Sequence, residues 1–531
     1  MGRETNVDSI RALDEQIIKL KLTRNSLLDI STRVPPEILG CIFAWSLARE
    51  PSRSLYSRHF DGLRKGSYNF LLVCHRWSEV ASRTPELWSF WGNTLQDWKK
   101  QHHRSGTTPL DLVLDGYRRG PGFYFDESLH SAVRSRAAQN TIRQIHLRSN
   151  HNVSLTPVIS SLTPDDDEDG HNENIESIVW HNTNPNLPTV DVSNFFARSR
   201  LSKLYLLDVA GKFLISSWDR LASRTTLLTT LSLQVTTSTP SPAPTTSQLF
   251  SILASNPNLQ QLVLAGVCPS DVDGSALNVS LPNLNLLSLK GKFLPLLGLL
   301  RRLILPATLD TMDLTAIDST VEDISQTLVP YMRDYFRRDA RFQHRLHISS
   351  FAFPSSVSIS VQILWPHTAA PSEALRSKVV TVRLHSLDAP EQLLIGLIAP
   401  VPGEHVASFD FDSYMELPEG VFSMMPNIET LHLTGAKLSE GFLQPKPGGP
   451  RANTKLLPSL RSLHLQDMNL DDDDWGPLVT YLVNQTSDNQ IISLEVTGYY
   501  PRMDQEVVYE IAHLVEAFTA DAPDASDDDS F

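Results

Sequence analysis

The chain has 531 residues, 41% of them hydrophobic and 20% charged, which is enough apolar content for a large core or a long repeat array. The formal net charge of −14 argues against a nucleic-acid-binding surface. The three cysteines are far apart and lack metal-ligand spacing, which excludes a disulfide scaffold, disfavours a zinc site and suits the reducing cytoplasm or nucleus.

Residues 1–30 have the apolar periodicity of an amphipathic helix. Ile10, Leu13, Ile17, Leu20 and Leu27 follow one another at steps of three, four and seven, which places them on one stripe. Two interpretations are open: a short coiled coil, or an amphipathic helix packed against the helices that follow. Because Arg24 interrupts the stripe within about three heptads, the packed helix is the favoured expectation.

Residues 31–95 predict two short apolar helices separated by a polar insert at 48–67. Pro35 and Pro36 open the first helix, where a missing backbone N–H costs no intrahelical hydrogen bond. The second helix is followed by the sequence PELW at Pro85 to Trp88. A small apolar surface with aromatic anchors is typical of a protein-binding patch, although a helical hairpin buried in a larger domain would carry the same residues.

This stretch resembles the F-box, with a PPEIL opening, an LVCHRW centre and a closing ELW. The resemblance covers about a tenth of the chain, and its insert is longer than in many F-boxes, although large fungal F-box families carry such loops. It implies helices that dock on a Skp-type adaptor, with some of their residues packing internally. The contacts that the resemblance implies are Val34, Pro35, Pro36, Ile38, Leu39, Ile42, Phe43, Leu72, Val73, Cys74, Trp77, Val80, Leu87 and Trp88.

A second pattern, independent of the first, repeats through residues 105–317 and 378–518. It consists of an apolar residue, two arbitrary residues, a second apolar residue, one arbitrary residue and a third apolar residue, as in Leu228, Leu231 and Leu233. Twelve such triplets begin at residues 142, 175, 201, 228, 259, 284, 309, 379, 406, 428, 460 and 491. The spacing is that of leucine-rich repeats, which predicts an α/β solenoid with parallel strands on its concave face and helices outside.

An ordinary α/β domain with buried parallel strands is the alternative to this solenoid. The asparagine that follows the strand in many leucine-rich repeats is mostly missing, so the turn there must be held in another way. Residues 318–377 interrupt the pattern with a predicted helix over 320–342 and two strand-like runs. They predict either a degenerate repeat with an inserted hairpin or a small subdomain. The acidic tail at 519–531 has little to bury and is expected to be disordered.

No catalytic or membrane-spanning motif was found. The sequence lacks GxSxG, HExxH, a phosphate-binding glycine loop and paired CxxC motifs, so no cofactor, metal or enzymatic activity is expected. The N-terminus is too polar for a secretory leader. The most apolar run, 293–306, is interrupted by Arg301 and Arg302, so no membrane span is expected.

The resemblance implies a non-catalytic, substrate-recognition subunit of a Skp-cullin-F-box ubiquitin ligase. The adaptor would link it to a cullin and a RING protein, and the subunit would hold a target protein near a charged ubiquitin-conjugating enzyme for later proteasomal degradation. A leucine-rich-repeat scaffold that acts without ligase assembly and an enzyme with a site within 318–420 are the alternatives. Outward strand positions would form the substrate surface: His146, Tyr205, His432, His464, Gln466, Glu495 and Tyr499.

Overall fold

The fold was taken from a computed structural model, and the chain divides into two compact units, Met1–Leu204 and Tyr205–Phe531. The structure describes residues 4–28, 33–47, 69–91, 103–115, 127–149, 154–163, 172–184, 186–235, 244–267, 278–306, 309–317, 321–337, 344–353, 356–365, 378–386, 395–396, 398–399, 401, 403–412, 420–435, 457–467, 475–483, 491–498 and 505–520. The predicted loop at 48–67, most of the expected disordered tail and Tyr499 lie outside these residues. The boundary between the units falls inside the predicted repeat block 105–317.

The described helices of the first unit include the two that the sequence predicts around the F-box-like motif. They are α1 (Glu4–Leu28), α2 (Pro36–Leu47), α3 (His75–Ser82), α4 (Glu127–Ala138), α5 (Thr156–Leu162) and α6 (Ser193–Arg198). Residues 69–73 form a further helical turn, and Pro85–Trp88 a 3₁₀ turn. The Cys74 sulfur accepts a hydrogen bond from the backbone N–H of Trp77 at 3.5 Å, which caps the start of α3.

Helix α1 confirms the predicted helix but not its predicted packing. Every described side chain between Ile10 and Arg24 is exposed, including those of the apolar stripe. The small core of the following helices is covered by Val34, Phe70 and Trp77 from the same segment. Its buried residues are therefore shielded from water without α1. The expectation that α1 packs against these helices is therefore wrong.

The first unit has five described strands, and the first four of them run parallel in chain order. They are β1 (Phe90–Trp91), β2 (Leu110–Asp115), β3 (Ile142–Ser149), β4 (Ser177–Asn182) and the short β5 (Val190–Asp191). Strands β1 to β4 pair successively, and the buried Leu112, Ile145 and Ile178 share one register row. The end of the F-box-like segment thus supplies the first strand of this sheet, which is why no unit boundary falls between 95 and 105.

Arg136 on α4 is buried beside that first strand. Its guanidinium lies over the Trp91 ring at 5.5 Å from the centroid and donates a hydrogen bond to the Ser105 hydroxyl at 2.7 Å. Burial lowers the pKa of Arg136, because desolvation penalises its charged form. The cation–π contact and the hydrogen bond offset part of that desolvation cost.

The second unit alternates strands and helices. Its helices are α7 (Trp218–Arg224), α8 (Thr246–Ser255), α9 (Phe293–Arg302), α10 (Val321–Asp323), α11 (Val329–Arg337), α12 (Gly420–Ser423), α13 (Gly476–Val483) and α14 (Gln505–Leu514). A π-helical turn, Ile324–Leu328, joins α10 to α11. Its strands are β6 (Leu206–Gly211), β7 (Phe213–Leu214), β8 (Thr230–Val235), β9 (Gln261–Ala265), β10 (Val279–Ser280), β11 (Leu286–Lys292), β12 (Leu303–Ile304), β13 (Thr311–Ile317), β14 (His344–Phe353), β15 (Ser356–Trp365), β16 (Lys378–Ser386), β17 (Val406–Asp412), β18 (Thr430–Thr434), β19 (Ser462–Gln466), β20 (Ser493–Thr497) and β21 (Ala517–Ala520).

The long strands of this unit form one mostly parallel sheet. Its order is β6-β8-β9-β11-β13-β16-β15-β14-β17-β18-β19-β20-β21, and β15 alone runs antiparallel to its neighbours. The predicted α/β class with mainly parallel strands is confirmed. Residues 519 and 520, expected in a disordered tail, belong to β21.

The apolar triplets explain the register of this sheet. Leu231 and Leu233 on β8 pair with Leu262 and Leu264 on β9, and all four are fully buried. The first leucine of the triplet, Leu228, is buried just before its strand begins. Because successive strand residues point to opposite faces, the triplet spacing places one apolar face inward on every strand.

A residue with left-handed backbone conformation directly follows several strands. Gly266, Gly435, Asp467 and Gly498 all have positive φ and follow the ends of β9, β18, β19 and β20. The N–H groups of the first three donate to the carbonyl oxygens of residues on the next strand in the sheet, Lys290, Gln466 and Thr497, at 2.9–3.1 Å. A side chain at Gly266 would collide with the carbonyl oxygen of Val235 on β8, so glycine is needed there.

A buried asparagine joins the end of helix α8 to the segment between α7 and β8. The Asn256 amide nitrogen donates to the carbonyl oxygens of Thr225 at 3.0 Å and Ile252 at 2.8 Å. Its side-chain oxygen accepts from the backbone N–H of Leu228 at 2.9 Å. The side chain thus satisfies three backbone groups that would otherwise be buried without partners.

The segment 318–377 contributes a hairpin to the sheet. Strands β14 and β15 pair antiparallel, and their outer edges pair with β17 and β16, so the hairpin lies within the strand order. The two strand-like runs predicted in this segment are these two strands, and the choice between a degenerate repeat with an inserted hairpin and a small subdomain stays a prediction. Both edges of the hairpin have partner strands, which satisfies their backbone hydrogen bonds within the sheet.

Candidate functional site

The two F-box-like helices enclose a small apolar core. Its buried members are Leu39, Phe43, Val80, Ala81, Leu87 and Trp88, with Val34, Phe70, Leu71 and Trp77 packed against them. The Phe43 ring stacks on the Phe70 ring with centroids 4.3 Å apart, and the Trp88 indole N–H donates to the Ala81 carbonyl at 2.7 Å. This core fixes α2 and the turn at 69–73 relative to each other.

Several predicted adaptor contacts lie in this core instead of on the surface. Leu39, Phe43, Val80, Leu87 and Trp88 are at most 7% exposed, so they cannot meet a partner without unfolding the segment. Val34, Cys74 and Trp77 are partly buried. The resemblance implied that some of the fourteen residues pack internally without saying which, and these five are the ones buried in the core.

The exposed remainder is strongly apolar. On α2, Ile38 and Ile42 are 52% and 49% exposed, and Leu72 in the turn at 69–73 is 81% exposed. Trp45, which the sequence prediction missed, is 80% exposed. Because Ile38, Ile42 and Trp45 are spaced at four and seven residues, they share one side of α2, and this period could have revealed Trp45.

We refer to these exposed residues as the apolar docking surface. It consists of Pro35, Pro36, Ile38, Ile42, Trp45, Leu72 and Val73. Isolated exposed apolar side chains are common, but several on two segments that pack around one core are typical of a protein interface. A large aromatic among aliphatic residues is the composition expected of an energetic anchor.

A second candidate site lies on the C-terminal strands, at positions that alternate with their buried apolar residues. Asp410, His432, His464 and Glu495 occupy the same register position on β17, β18, β19 and β20, and we call them the polar row. The His432 and His464 rings stack with centroids 4.1 Å apart and planes 5° apart. The sequence prediction missed Asp410, although it has the position in its triplet that His432 has in the next.

Carboxylates stand at both ends of the two stacked imidazoles. His464 Nδ1 lies 2.6 Å from Glu495 Oε2, and His432 Nε2 lies 4.0 Å from Asp410 Oδ1. His464 Nε2 is also 3.0 Å from the Ser462 hydroxyl. His464 and Glu495, whose side chains are 27% and 44% exposed, can therefore offer hydrogen bonds and negative charge to a ligand lying across the strands, whereas Asp410 is buried.

The remaining predicted substrate residues are placed differently. Gln466 is exposed on β19, one row from His464. His146 lies between the buried Ile145 and Leu147 on β3, but it is only 6% exposed, and its Nε2 lies 3.1 Å from the Ser177 hydroxyl. Tyr205 is partly buried just before β6, and Tyr499 lies outside the described residues.

Within the described part of the chain, no three or more His, Cys, Asp or Glu side chains are grouped closely enough to hold a metal ion. None of the described helices is long and apolar enough to cross a membrane. No protein-family model matches the sequence, and a search of curated proteins returns no significant match. The apolar docking surface and the polar row are therefore the features of the described structure that bear on function.

Proposed function

We propose that this chain is the target-recognition subunit of a Skp-cullin-F-box ubiquitin ligase. In this proposal the apolar docking surface binds a Skp-type adaptor, and the adaptor connects the chain to a cullin and a RING protein. The chain performs no chemistry itself. It raises the effective concentration of a target protein beside the ubiquitin-conjugating enzyme, which is a contribution of proximity.

The observation that carries the proposal is the exposure of apolar residues within the F-box-like motif. Ile38, Ile42 and Leu72 lie at the positions that the resemblance assigns to adaptor contacts, and they remain half to four-fifths exposed in the folded chain. Such residues cost free energy in water, and covering them with a partner recovers it. Trp45 extends the same side of α2 and fits the proposal as a further anchor.

The second part of the proposal concerns the repeats. We propose that the parallel strands form a leucine-rich-repeat solenoid and that its strand face, including the polar row, binds the target protein. The in-register stacking of β17 to β20 supports this, because it aligns Asp410, His432, His464 and Glu495 across four strands. Repeat proteins use such extended faces for binding partners.

Co-expression of the full chain with a Skp-type adaptor tests the proposal. We expect a one-to-one complex that survives gel filtration, and we expect cullin and RING protein to join it when added. The double variant Ile38→Glu with Ile42→Glu should lose the complex, since each carboxylate would have to be buried unpaired. Leu294→Glu, at a similarly exposed leucine on α9, is the matched control and should keep it.

Two outcomes would contradict the proposal in different ways. A folded wild-type chain that forms no complex would remove the adaptor assignment altogether. Adaptor binding without recruitment of the cullin would instead favour a leucine-rich-repeat scaffold that acts without ligase assembly.

A further inference from the structure

Helix α1 carries an apolar stripe with no partner in the described structure. It is 25 residues long, and Ile10, Leu13, Ile17 and Leu20 are between 45% and 70% exposed. Their spacing of three and four residues is that of the a and d positions of a coiled coil. The residues that continue this spacing, Arg24 and Leu27, extend the seam to about 26 Å.

We propose that α1 pairs with α1 of a second copy of this chain, forming an antiparallel two-stranded coiled coil. An antiparallel pair layers each a position against a d position of the second copy, so isoleucine at a and leucine at d bring these two residue types together in the apolar layers. Ile10 and Ile17 occupy a, and Leu13 and Leu20 occupy d, which is this combination. A single polar residue at an a position, here Arg24, is a common way to restrict the oligomeric state.

The charges beside the seam decide the antiparallel direction. Asp14 and Lys21 both occupy e positions, and in an antiparallel pair the e positions of the two helices face each other. With Ile17 layered on Leu20 of the second copy, Asp14 lies beside Lys21 of the second copy, and the symmetry of the pair produces this contact twice. In a parallel pair these residues would face the uncharged Ser9 and Gln16 instead.

Arg24 supports the same direction. In a parallel pair the two Arg24 side chains would meet in one a layer, where two desolvated like charges repel. In the antiparallel pair Arg24 is layered against Leu13 of the second copy, and the two arginines are about 16 Å apart along the axis. The charge complementarity thus fits a second copy of the same helix.

Sedimentation equilibrium of the full chain, at concentrations up to tens of micromolar, tests the pairing. We expect a concentration-dependent dimer, which the double variant Ile17→Glu with Leu20→Glu converts to a monomer. Ile18→Glu with Leu22→Glu is the matched control, because these residues are 57% and 56% exposed on the other side of α1, and it should remain dimeric. Glutamate is a good helix former, so far-UV circular dichroism should be unchanged in both.

Charge reversal tests the direction. Asp14→Lys should weaken dimerisation roughly tenfold, because two attractive contacts become repulsive. Adding Lys21→Asp should restore most of the lost affinity in an antiparallel pair. A wild-type chain that stays monomeric, or a seam variant that stays dimeric, would overturn the pairing, and charge reversal without effect would overturn the antiparallel order. None of these measurements requires the adaptor, so the outcome is independent of the proposed ligase function.

Discussion

Truncation of Ile38 and Ile42 to alanine should weaken adaptor binding about thirtyfold without unfolding the chain. Both side chains are about half exposed, so an interface has roughly half of their area left to bury. Burying a whole isoleucine side chain is worth about 1.5–3 kcal/mol, so each truncation forfeits about 1 kcal/mol. The pair forfeits about 2 kcal/mol, which corresponds to about thirtyfold in Kd.

Competition for a limiting amount of immobilised adaptor would measure this ratio directly. Labelled wild-type chain would be displaced by unlabelled wild type, by the Ile38→Ala, Ile42→Ala double variant and by Leu294→Ala as the control. Thermal unfolding of each chain would show that stability is preserved, because truncating a half-exposed side chain leaves no closed cavity. Leu39→Ala, in the core beneath, should by contrast lower stability by about 2–5 kcal/mol.

The reasoning would be refuted by a double variant that competes as well as the wild type. That result would mean that the exposed isoleucines are not covered by the adaptor. Trp45→Ala provides an independent check, because a tryptophan anchor should cost about 2 kcal/mol or more on truncation. Loss of binding on Leu39→Ala alone would not rescue the proposal, since it would report unfolding of the segment.

Three predictions concern the stability of the repeats, and each is measured by denaturant or thermal unfolding. Asn256→Ala should destabilise its unit by about 3 kcal/mol, because three buried backbone groups lose their partner. Asn283→Ala, at an exposed asparagine, should change stability by less than about 0.5 kcal/mol. Equal effects of the two substitutions would contradict the bridging role of Asn256. Leu463→Ala should cost about 3–5 kcal/mol as a buried leucine, and a cost below about 1 kcal/mol would mean that β19 does not form part of the core. Gly266→Ala should lower the free energy of unfolding more than Gly106→Ala. Both glycines have positive φ, but only a side chain at residue 266 would collide with a neighbouring strand. The reverse order would refute the close contact between Gly266 and that strand.

The sequence determined the alternation of the sheet. An apolar residue at every second strand position can be buried only on one face, so the triplets fix which residues of β8 or β19 point inward whatever lies beside them. The same local logic predicted that α2 begins at its two prolines, and the helix does begin at Pro36. These features depend on backbone geometry over a few residues, and they are readable without knowledge of distant contacts.

Only the tertiary structure decided which apolar residues of the F-box-like segment face inward. Leu39 and Ile38 are adjacent in the sequence and equally apolar, yet Leu39 is buried in the same core as Trp88 and Ile38 is exposed. The choice depends on the direction from which α3 and the turn at 69–73 pack on α2, which the sequence of α2 does not encode alone. For the same reason the sequence could not show that α1 is left outside this core.

The polar row shows the same division. The sequence placed His432, His464 and Glu495 on outward strand positions, because the triplet period assigns them there. That they stack in one row with Asp410 depends on the register between strands separated by about 30 residues, which backbone hydrogen bonding fixes only in the assembled sheet. The local period therefore determined which residues face outward, and the register of the assembled sheet determined which of them are neighbours.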